Sequence, residues 1–302
     1  MPPSRTSRCL SVAAALAAGA AVGWAFFPTL RWMAGRWAAD PQYSHGFLVP
    51  PAAAYFLWRK ADGSVSWAGT PRPLVGAVAL TAAAGLRFLA GGLFFHQLDA
   101  AALLLTLLGL AVAAGGWTLL GRVAPAVLFL LFMVPLPYEL ERDVGGPLKV
   151  AATRASTFLL QTLGYPALAD GTVILVDDAR LGVADACSGL KMLLTFAAFA
   201  AGAALLLDRH WFEKLAVLLG VVPIAVLVNA LRVTATGVAR VGVPDPDTFR
   251  TLHDLFGWLM MPAGLALLAA ELWALDRLVV RPPPPADPLL WAAPRPDPTA
   301  PA

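Results

Sequence analysis

The tightest constraint on this chain is a series of apolar runs that its own core could not bury. "SVAAALAAGAAVGWAFF" is one such run, and residues 101–116 and 215–228 likewise carry no charge. A helix needs about 20 apolar residues to cross a bilayer. Candidate spans lie at 10–30, 44–58, 73–94, 99–116, 120–136, 190–207, 215–235 and 255–275. The expected fold is therefore an all-α polytopic membrane protein, a bundle of about eight transmembrane helices. Of the 302 residues 59% are hydrophobic and 14% charged, against about 25% charge in soluble domains. The excess apolar surface needs the lipid bilayer as its solvent. A net charge of +3 fits basic cytoplasmic loops and implies no nucleic-acid partner.

Basic residues set the orientation. Arg5 and Arg8 place the N-terminus inside, ahead of a first run read as a retained span rather than a cleaved signal. Inside loops then hold Arg59, Lys60 and Arg72, next Arg122, then Arg209 and Lys214, and the tail holds Arg277 and Arg281. Arg31 and Arg36 fall outside, against the bias. Residues 1–280 read as one transmembrane domain, and 281–302 ("RPPPPADP" onward) as a Pro-rich, disordered cytoplasmic tail. The longest non-spanning stretch, 137–187, is expected at the outer face as one or two amphipathic helices. A small β-hairpin built from "TVILV" and "LGVA" follows them. The protein is expected in the cell (inner) membrane. Cys9 and Cys187, the only cysteines, fall on opposite sides and form no disulfide.

Few residues carry chemistry. Cys187, in "VADACSGLKM", lies where a span meets water. At a helix N-terminus, backbone N–H groups and the dipole favour thiolate over thiol. Gly189 lets another backbone approach closely. A buried structural thiol is the other reading of Cys187. Asn229 and Arg232 are three apart and share a helix face. They either line a polar cavity or anchor the helix at the interface. His253 precedes the last span and suits proton transfer near neutral pH, or is an interfacial histidine beside Trp258. Ser44 and His45 open the second span, as substrate-lining or structural residues. Crossing count puts Cys187, Arg232 and His253 at one outer face. A thiol, a proton carrier and a fixed cation are the parts of thioacyl chemistry. No two histidines have metal-ligand spacing, and no cofactor is expected.

The ordered set "YSHGFLVP", "MVPLP", "VADACSGLKML", "NALRV" and "LHDLFGW" resembles the exosortase/archaeosortase family over roughly residues 40–275. The resemblance implies Cys187, Arg232 and His253 as the catalytic set. Asn229 matches the asparagine before the arginine, with Ser188 and Gly189 beside the cysteine. Asp185 stands where glutamate is commoner, and Lys191 where arginine is frequent. It further implies cleavage of exported proteins bearing a C-terminal sorting tail. Such a tail has a Pro-Glu-Pro-like motif, a transmembrane helix and a basic end. A thioacyl intermediate would pass to an acceptor amine or to water. A rival reading is a non-catalytic transporter or scaffold for exopolysaccharide export, with Arg232, His253 and Asp185 as its polar path. Apart from Arg87 the spans hold few midplane polar residues, which weighs against it. No GxSxG supports a serine protease.

The orientation predicts a labelling result. Membrane-impermeant thiol reagents on intact cells should modify Cys187 and spare Cys9; labelling of Cys9 alone would invert the topology.

Overall fold

The computed structural model describes residues 5–60, 69–177, 179–183, 189–207 and 209–279. It is a helical protein. The first apolar run does not continue straight. Helix α1 (Arg5–Ala25) ends at Phe26 and α2 (Phe27–Ala39) leaves at 68°. Pro28 causes the break: it has no N–H to give, and its ring clashes with the carbonyl four residues back. A 3-10 helix, Pro41–Phe47, follows, with Asp40 accepting from the Gln42 amide at 2.9 Å. It leads into α3 (Val49–Lys60).

Helices α4 (Pro73–Leu93) and α5 (His96–Phe129) pack closely through small residues. A Cβ at Gly76 would strike Ala113, and one at Gly109 would press on Ala79. Element α5 is two helical pieces joined at Gly116, whose φ of 59° only glycine adopts readily. The carbonyl of Thr70 fills the space where a side chain would go.

A 3-10 turn, Leu130–Met133, ends this element before the prolines of "MVPLP". Those prolines strand backbone groups. The Met133 carbonyl would bond the amide of residue 137, but Pro137 has none, and Trp37 Nε1–H donates to it instead at 2.8 Å. His45 Nε2–H donates to the Phe132 carbonyl at 3.1 Å. The Leu136 amide donates to the Tyr43 hydroxyl at 3.1 Å, and that hydroxyl donates onward to Glu141. Tyr43 is 2% exposed. Gly46 is bare because the Trp37 indole occupies its Cβ position.

Helix α6 (Tyr138–Thr162) is a single helix despite Pro147. Its buried stripe of Gly145, Ala152, Ser156 and Leu160 recurs at helical spacing and includes the residues that meet α7 and α8. Ser156 Oγ donates to the Ala230 carbonyl at 3.1 Å. In place of the expected hairpin there is a three-stranded antiparallel meander: β1 (Ala167–Asp170), β2 (Val173–Val176) and β3 (Ala179–Gly182). Alternation buries Ile174 and Val176 against Leu160 and Val233.

Helices α7 (Leu190–Leu206), α8 (Trp211–Gly242) and α9 (Pro246–Leu278) complete the fold. Their core includes Met192, Phe196, Val221, Val228 and Met260. The Phe196 ring fills the place of a side chain at Gly264. At one end Arg209 bridges Glu213 (3.1 Å) and Asp276 (2.8 Å), tying the start of α8 to the end of α9.

The count of eight spans is not reproduced. Among the described residues four helices are long and apolar enough to cross, α4, His96–Met133, α8 and α9, and the bent α1–α2 pair makes five. The 44–58 span loses its start to the 3-10 helix, leaving a 12-residue α3. The 190–207 span is the 17-residue α7. The 99–116 and 120–136 spans fall on the two helical pieces that meet at Gly116 within His96–Met133. Unbroken, those 38 residues would run ~57 Å, nearly twice the hydrocarbon core of about 30 Å, so the Gly116 break separates two runs of span-like length.

Arg87, awkward in sequence, is accounted for. Its Nε lies 3.6 Å from Asp99, its guanidinium sits 4.3 Å over the Phe26 ring, and the Thr29 hydroxyl also donates to Asp99. Asp99 occupies the first turn of α5, where the dipole favours a carboxylate. Asp99→Ala should destabilise the protein by roughly 1–2 kcal/mol, by stranding a half-buried cation. Arg87→Leu combined with Asp99→Leu should cost less than Asp99→Ala alone. Thermal unfolding in detergent tests this, and equal losses would make the pair incidental.

Candidate functional site

The seventh predicted span is apolar except for Asn229 and Arg232 on one face, and in α8 that face turns inward. Asn229 is 1% exposed and Arg232 half-buried. Arg232 Nη2–H donates to His253 Nε2 on α9 at 3.2 Å. A guanidinium has no lone pair to offer, so Nε2 is the acceptor and the imidazole proton sits on Nδ1. One turn beyond His253, α9 presents Gly257. A Cβ there would lie 3.7 Å from Arg232 Nη2, an ordinary contact distance, so the guanidinium lies against this turn of α9.

Gly189 immediately precedes α7 with φ +77°, and Asn229 Nδ2 lies 3.3 Å from where its Cβ would be. The bare backbone of Gly189 thus holds the start of α7 against α8. Cys187, Asp185 and Ser188 lie outside the described residues. Ser44 is not drawn inward. Its exposed hydroxyl donates to the Pro41 carbonyl at 3.0 Å and closes the 3-10 turn. His45 braces "MVPLP" as described above. Lys191 lies in the first turn of α7.

The Arg232–His253 pair opens into a cleft of about 490 Å³ between β3, α8 and the start of α9. Among the described residues its lining includes Arg180, Arg232, Arg240, Arg250 and His253, and no acidic residue. Arg240 stacks over Phe249 at 5.2 Å; Arg250 meets Asp247 at 3.4 Å, both exposed. Among the described residues no group of three His, Cys, Asp or Glu could hold a metal ion.

Helix rise fixes how far the pair lies from the Arg209 cluster. From Glu213 to Arg232 along α8 is ~28 Å, and from His253 to Asp276 along α9 is ~34 Å. Each is close to one hydrocarbon thickness, about 30 Å. The two polar clusters on this helix pair are thus spaced to meet opposite faces of a bilayer.

No curated protein and no solved structure matches the chain. The family described as transmembrane exosortase (Exosortase_EpsH) matches residues 37–270. That stretch holds every motif quoted above, from "YSHGFLVP" to "LHDLFGW", and nearly all of the helical frame around the Arg232–His253 pair. The chain belongs to the transmembrane exosortase family.

Proposed function

We propose that the protein is a membrane cysteine protease/transpeptidase that cleaves the C-terminal sorting tails of exported proteins at the outer face of the cell membrane. One observation carries the reading: Arg232 and His253 meet at 3.2 Å in a cleft, beside the start of α7 into which Cys187 leads. Two peptide links join Cys187 to Gly189, a reach of about 7 Å between Cα atoms. Gly189 itself rests on Asn229, one helical turn from Arg232.

In this mechanism Cys187 attacks the scissile carbonyl. In the resting contact the His253 Nε2 lone pair is occupied by Arg232. A bound carbonyl, becoming an oxyanion, is the stronger acceptor and draws the guanidinium off Nε2. The freed imidazole takes the thiol proton. It then gives that proton to the leaving amine as the C–N bond breaks, which leaves a thioester on Cys187. An acceptor amine or water attacks the thioester and regenerates the thiol. Arg232 holds its own proton too tightly to act as a base. Asn229, Asp185, Ser188 and Gly189 position this set. The substrate's tail helix docks among the spans with its recognition motif at the cleft.

A tagged substrate tail co-expressed with each variant, followed by gel shift, tests the reading. Cys187→Ala should abolish cleavage with expression intact, and Cys187→Ser should be nearly as inactive, since helix-dipole activation suffices for a thiol and not for an alcohol. Full processing by Cys187→Ala would remove the enzyme reading and leave the transporter or scaffold.

The Arg232 role has its own test. Arg232→Lys keeps the charge and loses the fork that can serve both imidazole and oxyanion, so turnover should fall by about 100-fold. Wild-type turnover in that variant would reduce Arg232 to a simple charge.

A further inference from the structure

We infer that the cleft beside Arg232 binds its peptide as an added β-strand on β3 and reads an acidic side chain through Arg180, Arg240 and Arg250. This rests on the protease reading and says how its substrate is held.

The backbone argument comes from register. Strand β3 is an edge strand, paired only with β2. The Val183 amide donates to the Thr172 carbonyl at 2.9 Å. Bonded and non-bonded couples alternate along an antiparallel pair. The couples Leu181–Ile174 and Ala179–Val176 are therefore bonded, and Arg180–Leu175 and Gly182–Val173 are not. The N–H and C=O groups of Arg180 and Gly182 point away from β2. Among the described residues they have no backbone partner. Both residues line the cleft. A strand edge with outward donors and acceptors is a template for an extended peptide. The side chain of Leu181 faces the other way and packs at Gly237 of α8, which anchors the strand. Along the chain, Cys187 follows β3 within five residues.

The charge argument is independent. Among the described residues, four arginines and a histidine line the cleft with no acid beside them. Arg180, Arg240 and Arg250 are exposed. They lie at the end of α8–α9 remote from Arg209, where basic residues are not favoured by topology if that end faces outward. An extended segment with a carboxylate side chain complements both features. A neutral or basic segment complements only the strand edge.

The test uses the full chain carrying Cys187→Ala, in phosphatidylcholine nanodiscs, so that binding is read apart from cleavage. The probe is a fluorescein-labelled pentapeptide with a central glutamate between alanines, followed by anisotropy. Arg180→Glu and Arg240→Glu should each weaken binding by about tenfold. A central-lysine peptide should bind these two variants better than it binds the parent. N-methylation of alternate amides should weaken binding at one parity and spare the other, because only every second residue of an added strand bonds the edge. Equal tolerance of methylation at both parities would overturn strand addition. Insensitivity to both arginine reversals would overturn acid reading. Binding of short-chain phosphatidylglycerol in place of the peptide would make the cleft a headgroup site and overturn the whole inference. None of these failures touches the cleavage assay, which judges the protease reading by itself.

Discussion

A backbone carbonyl that loses its helical partner in a membrane protein must find another donor, and the front half of this structure is organised around that requirement. Pro135 and Pro137 end the α5 element where its last carbonyls still need partners. The answer comes from a segment about 90 residues earlier: Trp37 and His45 donate an indole and an imidazole N–H to two of those carbonyls, and the Tyr43 hydroxyl accepts from the Leu136 amide. Gly46 is bare so that the indole can lie flat, and Glu141 takes the far side of the tyrosine. The two motifs "YSHGFLVP" and "MVPLP" are one structural unit, each meeting the other's unsatisfied groups. Because the 3-10 helix also packs on α7, the brace reaches the helix that begins beside Asn229.

The α8–α9 pair supplies a second organising constraint, the distance between charged ends. Glu213 is 2% exposed yet carries a carboxylate. It is tolerable only because Arg209 reaches it and goes on to Asp276. The polar group at the other boundary is Arg232 with His253. Between them the helices present an almost unbroken apolar surface to lipid, with Leu219, Leu227, Trp258 and Trp273 exposed. Placing ionisable groups at the two ends of such a pair avoids the cost of a charge at the midplane.

Much of this was legible in sequence, and the gaps have physical causes. Membrane residence follows from composition, because no soluble core could take up so much apolar surface. The Asn229–Arg232 face and the partnership of Arg232 with His253 follow from helical spacing and crossing order. The number of spans did not follow. Hydropathy registers apolar runs and is blind to the turn at Phe26 and to the 3-10 helix that takes the start of the 44–58 run. The role of His45 was also hidden. Its partner is the Phe132 carbonyl, a backbone atom that no side-chain pattern announces. Arg87 looked misplaced because its compensation, Asp99 with the Phe26 ring, comes from two other helices. The third strand of the sheet was missed because β1, "ALAD", has only one buried residue and no alternation to read.

The Phe196 ring seated in the notch at Gly264 has a mechanical meaning. A bulky side chain fitted into a gap in the facing helix works as a pin: α7 cannot slide along α9 without driving the ring into backbone on either side. The chain entering α7 carries Cys187, and α9 carries His253. The pin therefore fixes the axial register of the two helices that bear the proposed nucleophile and its proton carrier. That register is set by a contact about two turns of α7 from Gly189, at a distance from the chemistry it would align.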